Sequence, residues 1–108
     1  MSYTCISAEQ AKAMISSGAQ IADVRDPASF SNGHIPGAVA LSNETLQDFL
    51  QDADPDQPWI VVCYHGHSSQ GAASYLAGQG FDDIYSMDGG FELWRQLFPD
   101  MIETGKGE

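Results

Sequence analysis

Residues 59–79 constrain this chain more than any other stretch. Trp59-Ile60-Val61-Val62 is an unbroken apolar run preceded by Pro58, the pattern of a strand buried on both faces, as in a parallel sheet. A polar loop follows, Cys63-Tyr64-His65-Gly66-His67-Ser68. From Ser69 onward Ala72, Ala73, Leu76 and Ala77 fall on one helical stripe, with Gly80 placed to close the helix in the left-handed conformation. Ser68 or Ser69 is expected to cap that helix. A strand, a tight loop and a helix N-terminus therefore meet at Cys63.

That position has a chemical consequence. The first N–H groups of a helix lack intrahelical acceptors and lie at the positive end of its dipole. A thiol placed there loses its proton more readily, and the thiolate is the nucleophilic form. Gly66 can take positive φ, curling the loop so that successive N–H groups converge above the sulfur. Free cysteines are often buried and inert, but three hydroxyls and two imidazoles crowd the loop and point instead to a working thiol.

The rest of the chain alternates strands and helices. Ser7-Ala8-Glu9-Gln10 offers a capping box ahead of Ala11, Met14 and Ile15. A strand is expected over residues 20–24, then a short helix capped by Asp26 with Pro27 in its first position, ending at Gly33. His34-Ile35-Pro36-Gly37-Ala38 reads as an extended, turning connection, and residues 39–41 as a brief strand. Ser42 or Asn43 is expected to cap a helix burying Leu46, Phe49 and Leu50. A strand over residues 83–87 and a turn at Asp88-Gly89-Gly90 lead to a last helix lined by Phe91, Trp94, Leu97 and Phe98, and residues 101–108 read as a frayed tail. This order predicts one α/β domain over residues 1–108, with a five-stranded, mainly parallel sheet and helices on both faces.

Fifteen acidic residues against four basic give a formal charge of −11, which argues against nucleic acid or an anionic membrane surface as partner. The opening residues lack the basic and apolar regions of a secretory signal, and nowhere do 18 apolar residues run together. A soluble, cytoplasmic protein is expected. Two cysteines in a reducing compartment are weak grounds for a disulfide, and Cys5, on a short edge-like strand, reads as inert packing.

Cysteine-based phosphatases and arsenate reductases carry Cys-x5-Arg, whose Arg grips phosphate bidentately. Here Ser69 stands six residues after Cys63, and no Arg or Lys lies between Cys63 and Arg95. Three patterns instead resemble the single-domain rhodanese family of thiosulfate sulfurtransferases. They are Asp23-Val24-Arg25-Asp26 with Gly33-His34-Ile35-Pro36-Gly37-Ala38, the six-residue Cys63 loop, and Asp88-Gly89-Gly90-Phe91-Glu92-Leu93-Trp94. The resemblance implies the rhodanese fold and a site at the carboxyl edge of the sheet. It also implies sulfur transfer from thiosulfate, through a Cys63 persulfide, to cyanide or a dithiol, with thioredoxin-like or other protein thiols as further acceptors and neither metal nor cofactor. The loop residues Tyr64, His65, Gly66, His67, Ser68 and Ser69 are expected to hold the terminal persulfide sulfur through backbone N–H groups. His65 and His67 could supply positive charge, donate to thiosulfate oxygens or satisfy the loop backbone; Ser68 and Ser69 could donate to sulfur or cap the helix. Asp23 and Arg25 are expected to form a structural ion pair, His34 to lock the Ile35-Pro36 connection by bonding backbone, and Gly89-Gly90 to border the pocket mouth. A loop without Arg or Lys, on an acidic protein, implies weak thiosulfate binding and efficiency that rises as salt screens the surface. The alternative is a rhodanese-like interaction module without turnover.

Overall fold

The computed structural model describes residues 2–105. The central strand, β4 (Trp59–Val62), is buried at every position, because its neighbours close both its edges and helices close both its faces. In chain order the other strands are β1 (Thr4–Ile6), β2 (Gln20–Asp23), β3 (Val39–Ala40) and β5 (Ile84–Met87). They assemble as β1-β5-β4-β2-β3, and every pairing is parallel.

The helices divide the core in two because strand side chains alternate between faces. Ile60 and Val62 of β4 point into a cluster with Ile6, Ile21, Phe30, Met87, Phe91 and Trp94. This face carries α1 (Ala8–Ser16), α2 (Pro27–Asn32) and α5 (Gly90–Leu97). Trp59 and Val61 point the other way, to Phe49, Ala73, Leu76, Ala77, Phe81 and Ile84, under α3 (Leu46–Asp52) and α4 (Ser68–Gly78). None of the helices among the described residues is long and apolar enough to cross a membrane.

Local chemistry sets most boundaries as expected. The Ser7 hydroxyl accepts from the Gln10 N–H at 3.1 Å while the Gln10 side chain accepts from the Ser7 N–H at 2.8 Å, completing the capping box. Asp26 caps α2, with Pro27 at its first position.

Several expectations need correction. α3 begins after Thr45, which heads it with no side-chain cap bond. Ser42 instead opens the preceding turn, its N–H donating to Thr45 Oγ1 at 2.9 Å, so neither Ser42 nor Asn43 heads the helix. Leu97 is 41% exposed because Phe98 takes the place against Trp94, ring centroids 4.8 Å apart. Cys5 does lie on an edge strand, but it is exposed and belongs to neither core cluster. The segment after Met101 does not fray within the described residues. Trp94 Nε1 donates to the Met101 carbonyl at 2.9 Å, Met101 and Ile102 pack on the core, and Glu103 exchanges two 2.8 Å backbone hydrogen bonds with His34. The remainder of the expected tail, 106–108, lies outside the described residues.

Candidate active site

Cys63 follows β4 directly, at the carboxyl edge of the sheet, and is 2% exposed. Its loop is held from behind by α5. The Phe91 N–H donates to the Cys63 carbonyl at 2.8 Å and the Glu92 N–H to the Tyr64 carbonyl at 3.1 Å. The unbonded N–H groups of the α5 N-terminus thus find their acceptors in the loop. That docking requires Gly90, since a Cβ there would lie 2.4 Å from the Tyr64 carbonyl.

Gly66 takes φ of +92°, and the resulting curl brings its N–H to Cys63 Sγ at 3.1 Å. A Cβ on Gly66 would meet the Gly89 nitrogen at 2.9 Å, so the loop also presses against the turn that bears Gly89. Gln70 Nε2 fixes the curl by donating to the Gly66 carbonyl at 2.9 Å, and Tyr3 donates to Gln70 Oε1 at 3.1 Å.

The serines behave differently from a pair of helix caps. His67 precedes α4 without a side-chain cap bond, and Ser68 and Ser69 are its first two residues. The Ser69 side chain is fully buried and lies 3.3 Å from Cys63 Sγ and 2.7 Å from Ser86 Oγ, so it is engaged with sulfur rather than with its own helix. Ser68, His65 and His67 are exposed. Burial, the largest single influence on the Cys63 thiol, pushes its pKa up. The Ser69 hydroxyl and N–H with the N–H groups of Gly66 and His65 outweigh it and hold the thiol below its ordinary value. The arrangement favours a thiolate with hydrogen-bond donors trained on it.

The flanking residues build the wall. Arg25 bonds Asp23 through Nε at 3.1 Å and Nη2 at 2.8 Å, and Nη2 also donates to the Gly33 carbonyl at 2.6 Å. Its guanidinium lies 4.2 Å from the centroid of the Phe91 ring. The pair is buried and links β2, α2 and α5. His34 Nδ1–H donates to the Phe30 carbonyl at 2.8 Å and its ring stacks on Phe30 at 3.9 Å, so its side chain bonds backbone of α2 rather than of the Ile35-Pro36 connection. The Tyr64 hydroxyl bonds Asp26 and lies 3.0 Å from Ser29 Oγ, pinning the loop to the start of α2. Sequence reasoning missed Ser86 and the Tyr64–Asp26 contact. Ser86 carried one available signal, a small polar residue in a strand otherwise made of the large Ile84, Tyr85 and Met87. Among the described residues no group of three His, Cys, Asp or Glu side chains is placed to hold a metal.

A thiol loop at the carboxyl end of the central strand of a five-stranded parallel sheet defines an α/β protein with a buried loop cysteine and without the arginine clamp of phosphoryl chemistry. The family profile described as "Rhodanese-like domain" matches residues 7–97, and the chain belongs to that family. It is 60% identical over 95 residues to the thiosulfate sulfurtransferase GlpE of Stutzerimonas stutzeri strain A1501, covering 88% of this chain and 87% of that one. Among solved structures, a rhodanese-like domain protein from Staphylococcus aureus superposes with a TM-score of 0.74 at 27% identity, covering 84% of this chain and 90% of that one. The rhodanese-like domain of the Anabaena protein Alr3790 shares the fold, with a TM-score of 0.82 over 98% of this chain and 82% of that one, at 24% identity.

Proposed function

We infer that the chain is a thiosulfate sulfurtransferase whose nucleophile is Cys63. The observation that carries this reading is the Cys63 sulfur itself, buried at a strand end and held by the Gly66 N–H and the Ser69 hydroxyl. Family membership and the sulfurtransferase relatives support it.

In the first half-reaction the Cys63 thiolate attacks the outer sulfur of thiosulfate. A new S–S bond forms, the S–S bond of thiosulfate breaks, and sulfite leaves with the bonding pair. The terminal persulfide sulfur then lies over the loop, where the backbone N–H groups of Tyr64 to Ser69 stabilise its developing charge. In the second half-reaction cyanide or a thiolate attacks that outer sulfur, and the Cys63 thiolate leaves, ready for another cycle. His65 and His67, both exposed on the loop, are the groups within the loop able to bring positive charge to thiosulfate, since Arg25 is buried against Asp23. Residues 1–108 act as one cytoplasmic rhodanese domain, with protein thiols as acceptors alongside small ones.

Intact mass after incubation with thiosulfate and gel filtration tests this, beside Cys63→Ser. Wild type alone is expected to gain one sulfur, roughly 32 Da, and to lose it to cyanide as thiocyanate appears. No adduct on a folded protein whose Cys63 still alkylates would overturn the thiosulfate reading and favour an interaction module.

A further inference from the structure

Two buried hydroxyls stand in line behind the sulfur. Ser69 Oγ lies 3.3 Å from Cys63 Sγ, and Ser86 Oγ, on β5, lies 2.7 Å beyond it. Both serines are 0% exposed, so bulk water offers neither an alternative partner. Among the described residues Ser69 is the hydrogen-bond partner of the Ser86 hydroxyl.

Each hydroxyl has one proton to donate. When the sulfur is protonated, S–H points at Ser69, the Ser69 proton points at Ser86, and the Ser86 proton has no acceptor within the line. When the sulfur is a thiolate both protons turn round: Ser86 donates to Ser69, and Ser69 donates to Sγ. Only the second arrangement uses every donor, and donation into Ser69 strengthens the bond that Ser69 makes. The persulfide keeps the same orientation, because its Sγ carries no proton. We infer that Ser86 is a positioning residue, which acts through Ser69 to hold Cys63 as a thiolate.

The charged groups around the loop are otherwise engaged or outward. Asp23 and Arg25 at the end of β2 bond each other, Asp26 at the start of α2 bonds Ser29 and Tyr64, and Glu92 of α5 bonds Arg95. Asp88 before α5, and His65 and His67 on the loop, are exposed. None of their side chains is a hydrogen-bond partner of Sγ, and α4 carries no charged residue. The two hydroxyls and the loop N–H groups are therefore the local controls on the thiol.

The inference rests on Cys63 being the reacting thiol, and its test reads the sulfur's proton without turnover. In a Cys5→Ser background, thiolate ultraviolet absorbance is followed against pH for the parent, Ser69→Ala, Ser86→Ala, the double variant and Ser86→Thr, with circular dichroism to establish folding. Below the midpoint Ser69→Ala is expected to lower the thiolate fraction about tenfold and Ser86→Ala about two- to threefold. The double variant should match Ser69→Ala alone, the non-additivity of residues acting in series. Ser86→Thr, which keeps the hydroxyl, should titrate as the parent. An unmoved titration in Ser86→Ala, a full further loss in the double variant, or a Thr variant as shifted as the Ala variant would each overturn the relay. A persulfide that forms normally alongside any of those results would leave the sulfur-transfer reading standing. The serial pattern in a protein that takes no sulfur would sink that reading alone.

Discussion

Gly90→Ala is the substitution that most directly tests how α5 holds the thiol loop. A Cβ at this position would stand 2.4 Å from both the carbon and the oxygen of the Tyr64 carbonyl and 2.5 Å from the Cys63 oxygen, whereas ordinary contact begins at 3.4 Å. Loop and helix must part by about 1 Å, and the obstructing atoms are backbone rather than the tip of a flexible side chain. The backbone at Gly90 also has φ of +60°, which costs an L-residue roughly 1–2 kcal/mol. Forced separation of packed groups adds about 1–3 kcal/mol, giving a loss of about 2–5 kcal/mol in denaturant unfolding. A displacement of about 1 Å at a reacting group can lower the rate on the order of 100-fold, and kcat/KM for thiocyanate formation should fall by about that factor. Gly89→Ala makes the control. The three atoms nearest its Cβ all belong to the Leu93 side chain, the first at 2.5 Å, so although its φ of +77° brings similar backbone strain, the nearest obstruction is not the loop and most activity should survive. If Gly90→Ala kept parental stability within about 0.5 kcal/mol and parental kcat/KM, the proposed registration of the thiol by α5 would be wrong.

Gly71 in α4 has nothing within 4 Å of a built Cβ, so Gly71→Ala should raise stability by about 0.5–1 kcal/mol in urea melts and leave turnover unchanged. Asp23→Asn leaves Arg25 buried without its countercharge, and unfolding free energy should drop by about 3–5 kcal/mol; a change under about 1 kcal/mol would mean the pair is dispensable. Because the folded thiol of Cys63 sits below its ordinary value of 9.0, its thiolate contributes stability that is fully present above that value and is lost as pH falls through the folded pKa. The Tm difference between wild type and Cys63→Ser should therefore shift in favour of wild type from pH 6 to pH 9.5, and a difference that stays flat across that window would contradict the depressed pKa.

The alternation of strands and helices was legible because each element carries its own period: the apolar run of β4, the capping box before α1, and Asp26-Pro27 ahead of α2. The thiol loop was legible for the same reason, since strand, loop and helix are contiguous in the chain. Features that depend on distant partners were not. Ser69 and Ser86 are seventeen residues apart, and nothing in the local pattern says that two hydroxyls face each other. The docking of Met101, Ile102 and Glu103 gives no periodic signal, because two apolar side chains and one backbone bridge suffice to hold the segment. Leu97 shares the helical stripe of Trp94, yet Phe98 occupies the inner place, a choice made by shape rather than by hydrophobicity.

The burial of β4 on both edges and both faces bears on how the protein breathes. Partial openings should begin at the outer strands, the three-residue β1 and the two-residue β3, each paired along one edge only. β4 amides are expected to exchange with solvent deuterium only through near-global unfolding, and the thiol hangs from the end of that strand. Openings confined to the β3 margin would then leave the Cys63 loop closed, so that the strand most resistant to exchange also anchors the proposed nucleophile.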